Sequence, residues 1–404
     1  MKVVKNTFLP ILLGTDLNSY GMARAFHEEY GIKSLALGEF WLTPTQYSAI
    51  VDVRILEGFG TQEGFLAGLN SIYEEYHSKF EKMLLVSCND NYTRLVVKNK
   101  KKLEEHFIVP CVEEELFERL ATKEAFYETC EEYGLDYPET YIITQKDTKV
   151  KFDVKFPLFV KASNSAKYSK CSFTGQKKAF FIDKRADFDR IVEMIYDSPY
   201  DDSLIVQKMI PGDDDSMRVL NCYVGKDSKV KLMCLGQILI EDKASQTVGN
   251  YLAIMNDYNP EICNKVKSFL EAIKYTGFAN FDMKFDASDG KFKFFEINLR
   301  QGRSSFFATG SGFNLAKYLV KDRIFDENLG FEIAKAEHLW LELPKRLALR
   351  NVGQQHKKKV KHLIKNGKVC WMLSYEKDRN IFRSWQNAKF YLRRWINRGW
   401  KGGK

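Results

Sequence analysis

Three side chains near residue 290 carry oxygen atoms at a spacing that suits a hard divalent cation. Asp282 lies in residues 278–286, which read FANFDMKFD; Glu296 and Asn298 lie in residues 294–307, which read FFEINLRQGRSSFF. Both stretches alternate polar and apolar residues, the period of a strand buried on one side. Asn280, Asp282 and Lys284 therefore share a face, and so do Glu296, Asn298 and Arg300, while Phe295, Ile297 and Leu299 point the other way. The connector Asp286-Ala287-Ser288-Asp289-Gly290 is rich in turn formers, which predicts one antiparallel hairpin with Asp282 opposite Glu296. Facing carboxylates repel unless a cation or proton lies between them. With an amide oxygen beside them they make a hard-oxygen site that suits Mg2+ better than zinc or copper. The plainer alternative is a set of solvated positions on the outer face of a half-buried hairpin. Arg300 lies one strand step beyond, and Gln301-Gly302-Arg303-Ser304-Ser305 adds a turn with several donors.

Two upstream clusters carry groups that suit a nucleotide. Residues 156–161 read as a short apolar strand ending on Lys161, followed by Ala162-Ser163-Asn164-Ser165 and a polar loop to Gly175. Residues 176–182 then predict a strand opening with Lys177 and Lys178. Small residues between strands let backbone N–H groups approach phosphate, with lysines as point charges. No GxxxxGK[ST] occurs, so the loop is not that of a P-loop NTPase. Residues 204–215 read as a strand through Gln207, Lys208, Met209 and Ile210 into Pro211-Gly212 and the acids Asp213, Asp214 and Asp215. Backbone groups of such a strand can read an adenine edge, and an acid after it can take ribose hydroxyls. Taken alone, an acidic turn after a strand is an ordinary turn.

The order of these pieces, lysine strand, small-residue loop, acid-tipped strand and Asp/Glu-x-Asn hairpin, resembles the ATP-grasp superfamily of carboxylate–amine ligases. Within it the chain is most similar to the D-aspartate ligases of peptidoglycan side-chain synthesis, from about residue 10 to about residue 325. The likeness is dense in GQKKAF, IPGDDDSMRVLN, YTGFANFDMKFD and FEINLRQGRSSFF. The resemblance implies that Lys123 and Lys161 contact ATP phosphates. It implies that the loop from Ser163 through Ser165 to Gly175, with Lys178 after it, covers them. Gln207 to Ile210 would frame the adenine, with Asp214 and Asp215 near the ribose. Asp282, Glu296 and Asn298 would hold two Mg2+ ions, and Arg300, with Arg218 as a helper, would stabilise the transferring phosphoryl group. Arg303, Ser304 and Ser305 would grip the α-carboxylate of the donor, D-aspartate being favoured. The acceptor implied is a UDP-linked or lipid-linked muropeptide. The single Gly175 in the covering loop is a departure from the superfamily. No GxSxG, HExxH or Cys–His pairing suggests a side-chain nucleophile.

The elements that must position these groups exceed one compact domain in 404 residues. The expected class is α/β and α+β: an ATP-grasp fold with an N-terminal doubly wound, pre-ATP-grasp lobe and a basic C-terminal tail. The expected segments are 1–120 as that Rossmann-like lobe and 121–335 as the ATP-grasp domain. The latter divides into a lysine-bearing lid part over about 121–205 and a metal-binding core over about 206–335, and 336–404 is a basic, aromatic-rich segment. The first lobe alternates strands and helices: residues 8–13, a helix over 20–30, a strand over 34–37 and another over 83–87. Its first strand lacks a following GxGxxG, so it is read as structural and substrate-facing, with Gly14, Asp16, Asn89 and Asp90 at strand ends. Lys2 and Lys5 precede an apolar run too short for a secretory leader, and no stretch reaches about 20 apolar residues. Eight scattered cysteines without a CxxC fit reduced thiols and a cytoplasmic protein.

Charge is distributed unevenly. Residues 344–404 hold 18 Lys and Arg against 2 acids, although the whole chain is only +9. On a helix, Ile381, Trp385, Ala388, Leu392 and Trp395 form an apolar stripe, flanked by Arg383, Lys389, Arg393, Arg394 and Arg398. The stripe admits two placements: packed on the protein body with the charges solvated, or set against an anionic partner, the inner face of a membrane or the muropeptide itself. The charge density favours the anionic partner. Nucleic acid is the wrong anion for this chain, because the positive charge is confined to one segment and no RRM, KH or helix-turn-helix signature is present.

Overall fold

The computed structural model describes residues 7–147, 155–242 and 249–399; the side chains of residues 165, 166, 394, 395 and 397–399 lie outside that description. The chain forms two compact units. The first comprises residues 1–118, 214–282 and 297–404, and the second residues 119–213 and 283–296.

The first unit opens with a parallel sheet of β1 (Phe8–Leu13), β2 (Ser34–Gly38), β3 (Val51–Ile55) and β4 (Lys82–Ser87), in the order β3-β2-β1-β4. All six residues of β1 are buried, because helices cover both faces and a doubly covered strand has no polar side. Leu12 packs with Tyr20, Ala23 and Phe26 of the helix Leu17–Tyr30. Ile11 and Leu13 point the other way, towards Phe65, Leu69 and Ile72 of the helix Gln62–Tyr76. This is the expected doubly wound lobe. Its helices begin on the caps the sequence offers: the Asp16 carboxylate accepts from the Asn18 and Ser19 amides, and Asn89 Oδ1 accepts from Tyr92 N.

The second unit holds an antiparallel sheet of β5 (Thr140–Ile143), β6 (Leu158–Ala162), β7 (Phe180–Ile182) and β8 (Leu204–Lys208), in the order β5-β8-β6-β7. Its apolar face packs on Phe188, Ile191, Val192 and Ile195 of the helix Arg185–Tyr196. Two expectations are corrected here. The strand expected over 176–182 forms only at Phe180–Ile182, so Lys177 and Lys178 precede it as exposed residues. The polar loop contains a short helix, Ser165–Lys170, started by Asn164, whose side chain accepts from Lys167 N.

The largest sheet runs β13-β12-β9-β10-β11-β15-β16, with β14 (Glu332–Ile333) beside β10. Its strands are β9 (Met217–Val224), β10 (Val230–Glu241), β11 (Tyr251–Asn256), β12 (Gly277–Asp286), β13 (Lys291–Asn298), β15 (Leu339–Leu341) and β16 (Val369–Cys370). The expected hairpin is thus β12–β13, and the boundary between the compact units crosses it after Asp282 and after Glu296. The C-terminal residues are integrated into the first unit: β15 and β16 extend this sheet, and Leu347, Ala348, Val360 and Leu363 join one of its cores.

Candidate active site

The second unit gathers the cationic residues. Lys161 projects from β6, whose neighbours in the sheet are β7 and β8. Lys123 is the first residue of the helix Lys123–Glu132, which Thr122 caps through its hydroxyl on Ala125 N. Its ammonium donates to Glu296 Oε2 at 2.8 Å and to the Phe295 carbonyl at 2.8 Å. Burial pushes the Lys161 pKa down, and the neighbouring Lys123 charge adds to that effect, while the Glu296 carboxylate opposes it. Lys123 and Lys161 thus stand beside one carboxylate, and an anion brought next to Lys161 would favour its charged form. Lys178 is exposed and adds its field.

Around this pole the other expected nucleotide residues have mixed placements. Ser163 is tied to Ser203: its amide donates to the Ser203 carbonyl at 3.0 Å, and the two hydroxyls are 2.8 Å apart. The side chain of Ser165 lies outside the described residues. The Gln207 amide is buried and donates to Tyr127 Oη at 2.7 Å and Thr140 Oγ1 at 2.9 Å, so it braces the strand. Lys208 N and Met209 N already donate to the Glu139 and Pro157 carbonyls. The Ile210 and Gly212 carbonyls accept from Lys284 Nζ at 2.9 and 2.8 Å, which ties the strand exit to the hairpin.

In the first unit, Asp282 Oδ1 accepts from Tyr251 Oη at 2.6 Å, and the Asn298 amide lies 3.4 Å from Asp282 Oδ2. Asn298 Nδ2 also reaches Asn280 Oδ1 at 3.2 Å, and Arg300 Nη2 donates to Asn298 Oδ1 at 3.2 Å. Arg300 Nε forms a 2.8 Å ion pair with Asp90, which sits just past β4. Asp16, beyond the end of β1, has its pKa raised by burial, against its hydrogen bonds to Ser19 and the Arg300 charge. The strand-end acids of the N-terminal sheet and the arginine after the hairpin therefore form one electrostatic group.

Several expected contributions change in this setting. Arg218 is held by Asp257 at 2.5 Å and by the Asp215 and Met217 carbonyls, so its charge is largely neutralised. Asp214 accepts from Glu241 N at 2.9 Å, and Asp215 faces Gln355 and, at 3.1 Å, His356. These two carboxylates stitch the turn to β10 and to the helix Gln354–Lys365. Ser304 and Ser305 are buried: Asn280 Nδ2 donates to Ser304 Oγ at 3.2 Å, Ser305 Oγ donates to Asn221 at 2.9 Å, and Gly302 N donates to Ser305 Oγ at 2.7 Å. Their hydroxyls are bonded within the turn and to Asn280 and Asn221. Tyr251, Tyr127, Asp257 and Asn221 hold the candidate residues without being revealed by the sequence pattern, because each sits in an apolar or unpatterned stretch whose partner is remote in sequence.

The donor set fits Mg2+. Two carboxylates and an amide oxygen are hard ligands, and Lys123 already places a cation on Glu296. Among the described residues no group of three or more His, Cys, Asp or Glu side chains is gathered closely enough to hold a metal ion. All eight cysteines are free thiols. No described helix is long and apolar enough to cross a membrane.

No family model matches the chain. A D-aspartate ligase of Enterococcus faecium is 44% identical over 403 residues, covering 97% of this chain and 96% of the relative. Among solved structures, an ADP complex of an N5-carboxyaminoimidazole ribonucleotide synthetase aligns over 98% of both chains at 14% identity with a TM-score of 0.58. An L-amino acid ligase from Bacillus licheniformis aligns over 79% of this chain and 74% of its own at 15% identity with a TM-score of 0.55. The chain belongs to the D-aspartate ligase family and has the ATP-grasp ligase fold.

Proposed function

We propose that this ATP-dependent ligase activates the side-chain carboxylate of D-aspartate and joins it to the lysine side-chain amine of a peptidoglycan precursor. The carboxylate oxygen attacks the γ-phosphorus of ATP and the bond to ADP breaks, giving an acyl phosphate. The amine nitrogen then attacks the acyl carbon, phosphate leaves, and the nitrogen gives up a proton. No protein nucleophile is required. The observation that carries the reading is the 44% identity to a D-aspartate ligase along almost the whole chain.

Residue roles follow from chemistry and placement. Lys123 and Lys161 receive phosphate oxygens, and the segment after Ser163, with Lys178, covers them. Lys208 to Ile210 face the adenine through the main chain. Asp282, Glu296 and Asn298 hold Mg2+, which when bound neutralises phosphate charge and orients the γ-phosphoryl group. Arg300, fixed by Asp90 and Asn298, stabilises charge on the transferring group, with a lesser contribution from the compensated Arg218. Arg303 receives the donor's α-carboxylate. The segment 1–120 is the substrate-facing lobe, and 121–335 carries the nucleotide chemistry. The enzyme works in the cytoplasm on a UDP-linked or lipid-linked muropeptide, and its basic segment 344–404 contacts the anionic inner face of the membrane.

Phosphate release from ATP and Mg2+, measured across D- and L-amino acids with a lysine-containing muropeptide acceptor, tests the reading. Release that requires D-aspartate and the acceptor is expected. Release with a different donor overturns the substrate, and no release with any pair overturns the proposed coupling.

A further inference from the structure

The helix Ile381–Gly399 is docked with its polar side inward. Globular helices bury their apolar stripe and expose their charges. Here Arg383 is 1% exposed, with its guanidinium paired to the buried Asp378 at 2.6 Å and lying over the Tyr20 ring at 4.1 Å. Its Nη1 also donates to the Pro44 and Gln46 carbonyls at 2.9 and 3.1 Å. One turn on, Gln386 donates to Gln46 Oε1 at 2.9 Å and Asn387 to the Leu373 carbonyl at 3.0 Å. Phe390 is the apolar residue of this inner face that packs against the core.

The outer face carries the apolar stripe. Ile381 is 80% exposed, Trp385 58%, Leu392 56% and Ile396 59%. A contiguous exposed patch of side chains of this size marks an interaction surface. The stripe continues onto the loop between β2 and β3. Phe382 stacks on Tyr47 at 5.5 Å between ring centroids, Tyr47 lies 6.1 Å from Trp41, and Phe40 and Trp41 are 72% and 50% exposed. The loop is held in place: Thr15 Oγ1 donates to the Phe40 carbonyl, and Thr45 Oγ1 donates to the Thr15 carbonyl at 2.8 Å. Its exposed rings are therefore presented by a fixed backbone.

The charge around the patch selects the partner. Lys377, Arg379, Lys389 and Arg393 are exposed, and Lys389 Nζ sits 3.1 Å from the Trp385 ring centroid. Residues 381–399 contain five Lys and Arg and no acid. Tryptophan and tyrosine prefer the boundary between acyl chains and headgroups, where the ring is dry and its polar edge wet. A basic rim around such rings complements anionic headgroups.

We propose that the outward stripe of the C-terminal helix and the loop at residues 40–47 together form a docking surface for an anionic phospholipid bilayer. This deepens the membrane contact proposed above for residues 344–404 by assigning it to one face and to lipid, and by adding a loop more than 300 residues away in the chain. The helix lies in the interface plane, with Ile381, Trp385, Leu392 and Ile396 entering the acyl boundary.

Vesicle co-sedimentation of the full chain tests it, with phosphatidylglycerol–phosphatidylcholine vesicles set against pure phosphatidylcholine. Two variants separate the parts of the surface: Trp385→Glu on the helix, and Phe40→Ser with Trp41→Ser on the loop. Wild type should favour the anionic vesicles by about tenfold, and each variant should lose about tenfold of that binding. Ligation with a soluble UDP-linked acceptor should stay within about twofold in both, since all three side chains are exposed and none has a role in the proposed chemistry. Absence of wild-type binding removes both the surface and the membrane contact. Anionic-vesicle binding retained by both variants keeps the contact and overturns this surface. Equal binding to both vesicle types overturns the electrostatic selection. Self-association of the wild type that Trp385→Glu abolishes, read by sedimentation equilibrium, replaces lipid with a second copy of the chain. A loss of ligation with vesicle binding intact bears on the catalytic reading alone.

Discussion

Lys123 Nζ lies 2.8 Å from Glu296 Oε2. The same ammonium holds the Phe295 carbonyl, so the lysine fixes β13 at Glu296, the residue proposed to meet Mg2+. If Glu296 holds the metal as proposed, it has two duties, a partner for Lys123 and a charge for Mg2+. Glu296→Gln separates them, because the amide oxygen still accepts from Lys123 while the negative charge is gone. Ligation is expected to fall by about a thousandfold or more, with the melting temperature moving by no more than about 4 °C. Phosphate-release assays and a thermal melt check both halves. Near wild-type turnover would remove Glu296 from the metal site.

The hairpin that carries this strand is legible in the sequence because its two runs alternate and a turn segment joins them. Asp282, Glu296 and Asn298 fall on its strands as the alternation requires. The partners that complete the site are less legible. Tyr251 sits in a strand whose first five residues are all buried, and nothing local marks its hydroxyl as the donor to Asp282. The serines after the hairpin look like ligand donors because they follow an arginine, yet the buried Asn221 and Asn280 amides claim them. The C-terminal helix shows the same limit. Its two faces are readable from spacing, but which face turns inward is decided by Asp378 and Tyr20, residues outside the helix that hold the guanidinium of Arg383.

Gly302 is required by a close approach. A Cβ there would stand 2.7 Å from Asn280 Oδ1, and Asn280 links Asn298, Asn221 and Ser304. Gly302→Ala must displace that amide and, with it, the orientation of Asn298. About 1–3 kcal/mol of stability should be lost through overpacking, and turnover should fall by about a hundredfold because a misplaced ligand is costly for chemistry. Denaturant unfolding and steady-state kinetics give the two numbers. A variant with wild-type kinetics would show that the Asn280 network does not position the site.

Stability should fall in mild acid through His338. Burial lowers its pKa from 6.5 to about 4, and Nε2 lies 3.1 Å from Cys370 Sγ, a thiol that burial keeps protonated. The folded state thus binds a proton less readily than the unfolded state. The contribution is fully present above pH 6.5 and is lost as pH falls from 6.5 towards 4, where the unfolded chain is protonated and the native one is not. After allowance for the partial exposure of the ring, the loss is about 2 kcal/mol. Urea unfolding at pH 7.5 and pH 4.5 should show it, and His338→Gln should flatten that part of the profile. An unchanged slope in the variant would assign the acid sensitivity to other groups.

Asp378 anchors the C-terminal helix from inside the first unit. It accepts from Tyr20 Oη at 2.8 Å, Ser48 Oγ and Ala49 N at 2.6 Å, it is ion-paired with Arg383 Nε at 2.6 Å, and it is 2% exposed. Removing the carboxylate leaves a buried guanidinium without its counter-charge, which is worse than losing the pair. Asp378→Ala is therefore expected to cost about 3–5 kcal/mol, whereas Asp378→Ala combined with Arg383→Met should cost less than the single change. The helix should loosen along with the stability loss, so trypsin should cut at Lys389 and Arg393 sooner in the single variant than in the wild type. If the double variant is no more stable than Asp378→Ala, the buried charge of Arg383 is not what makes the loss, and the anchoring must come from the hydrogen bonds to Tyr20, Ser48 and Ala49.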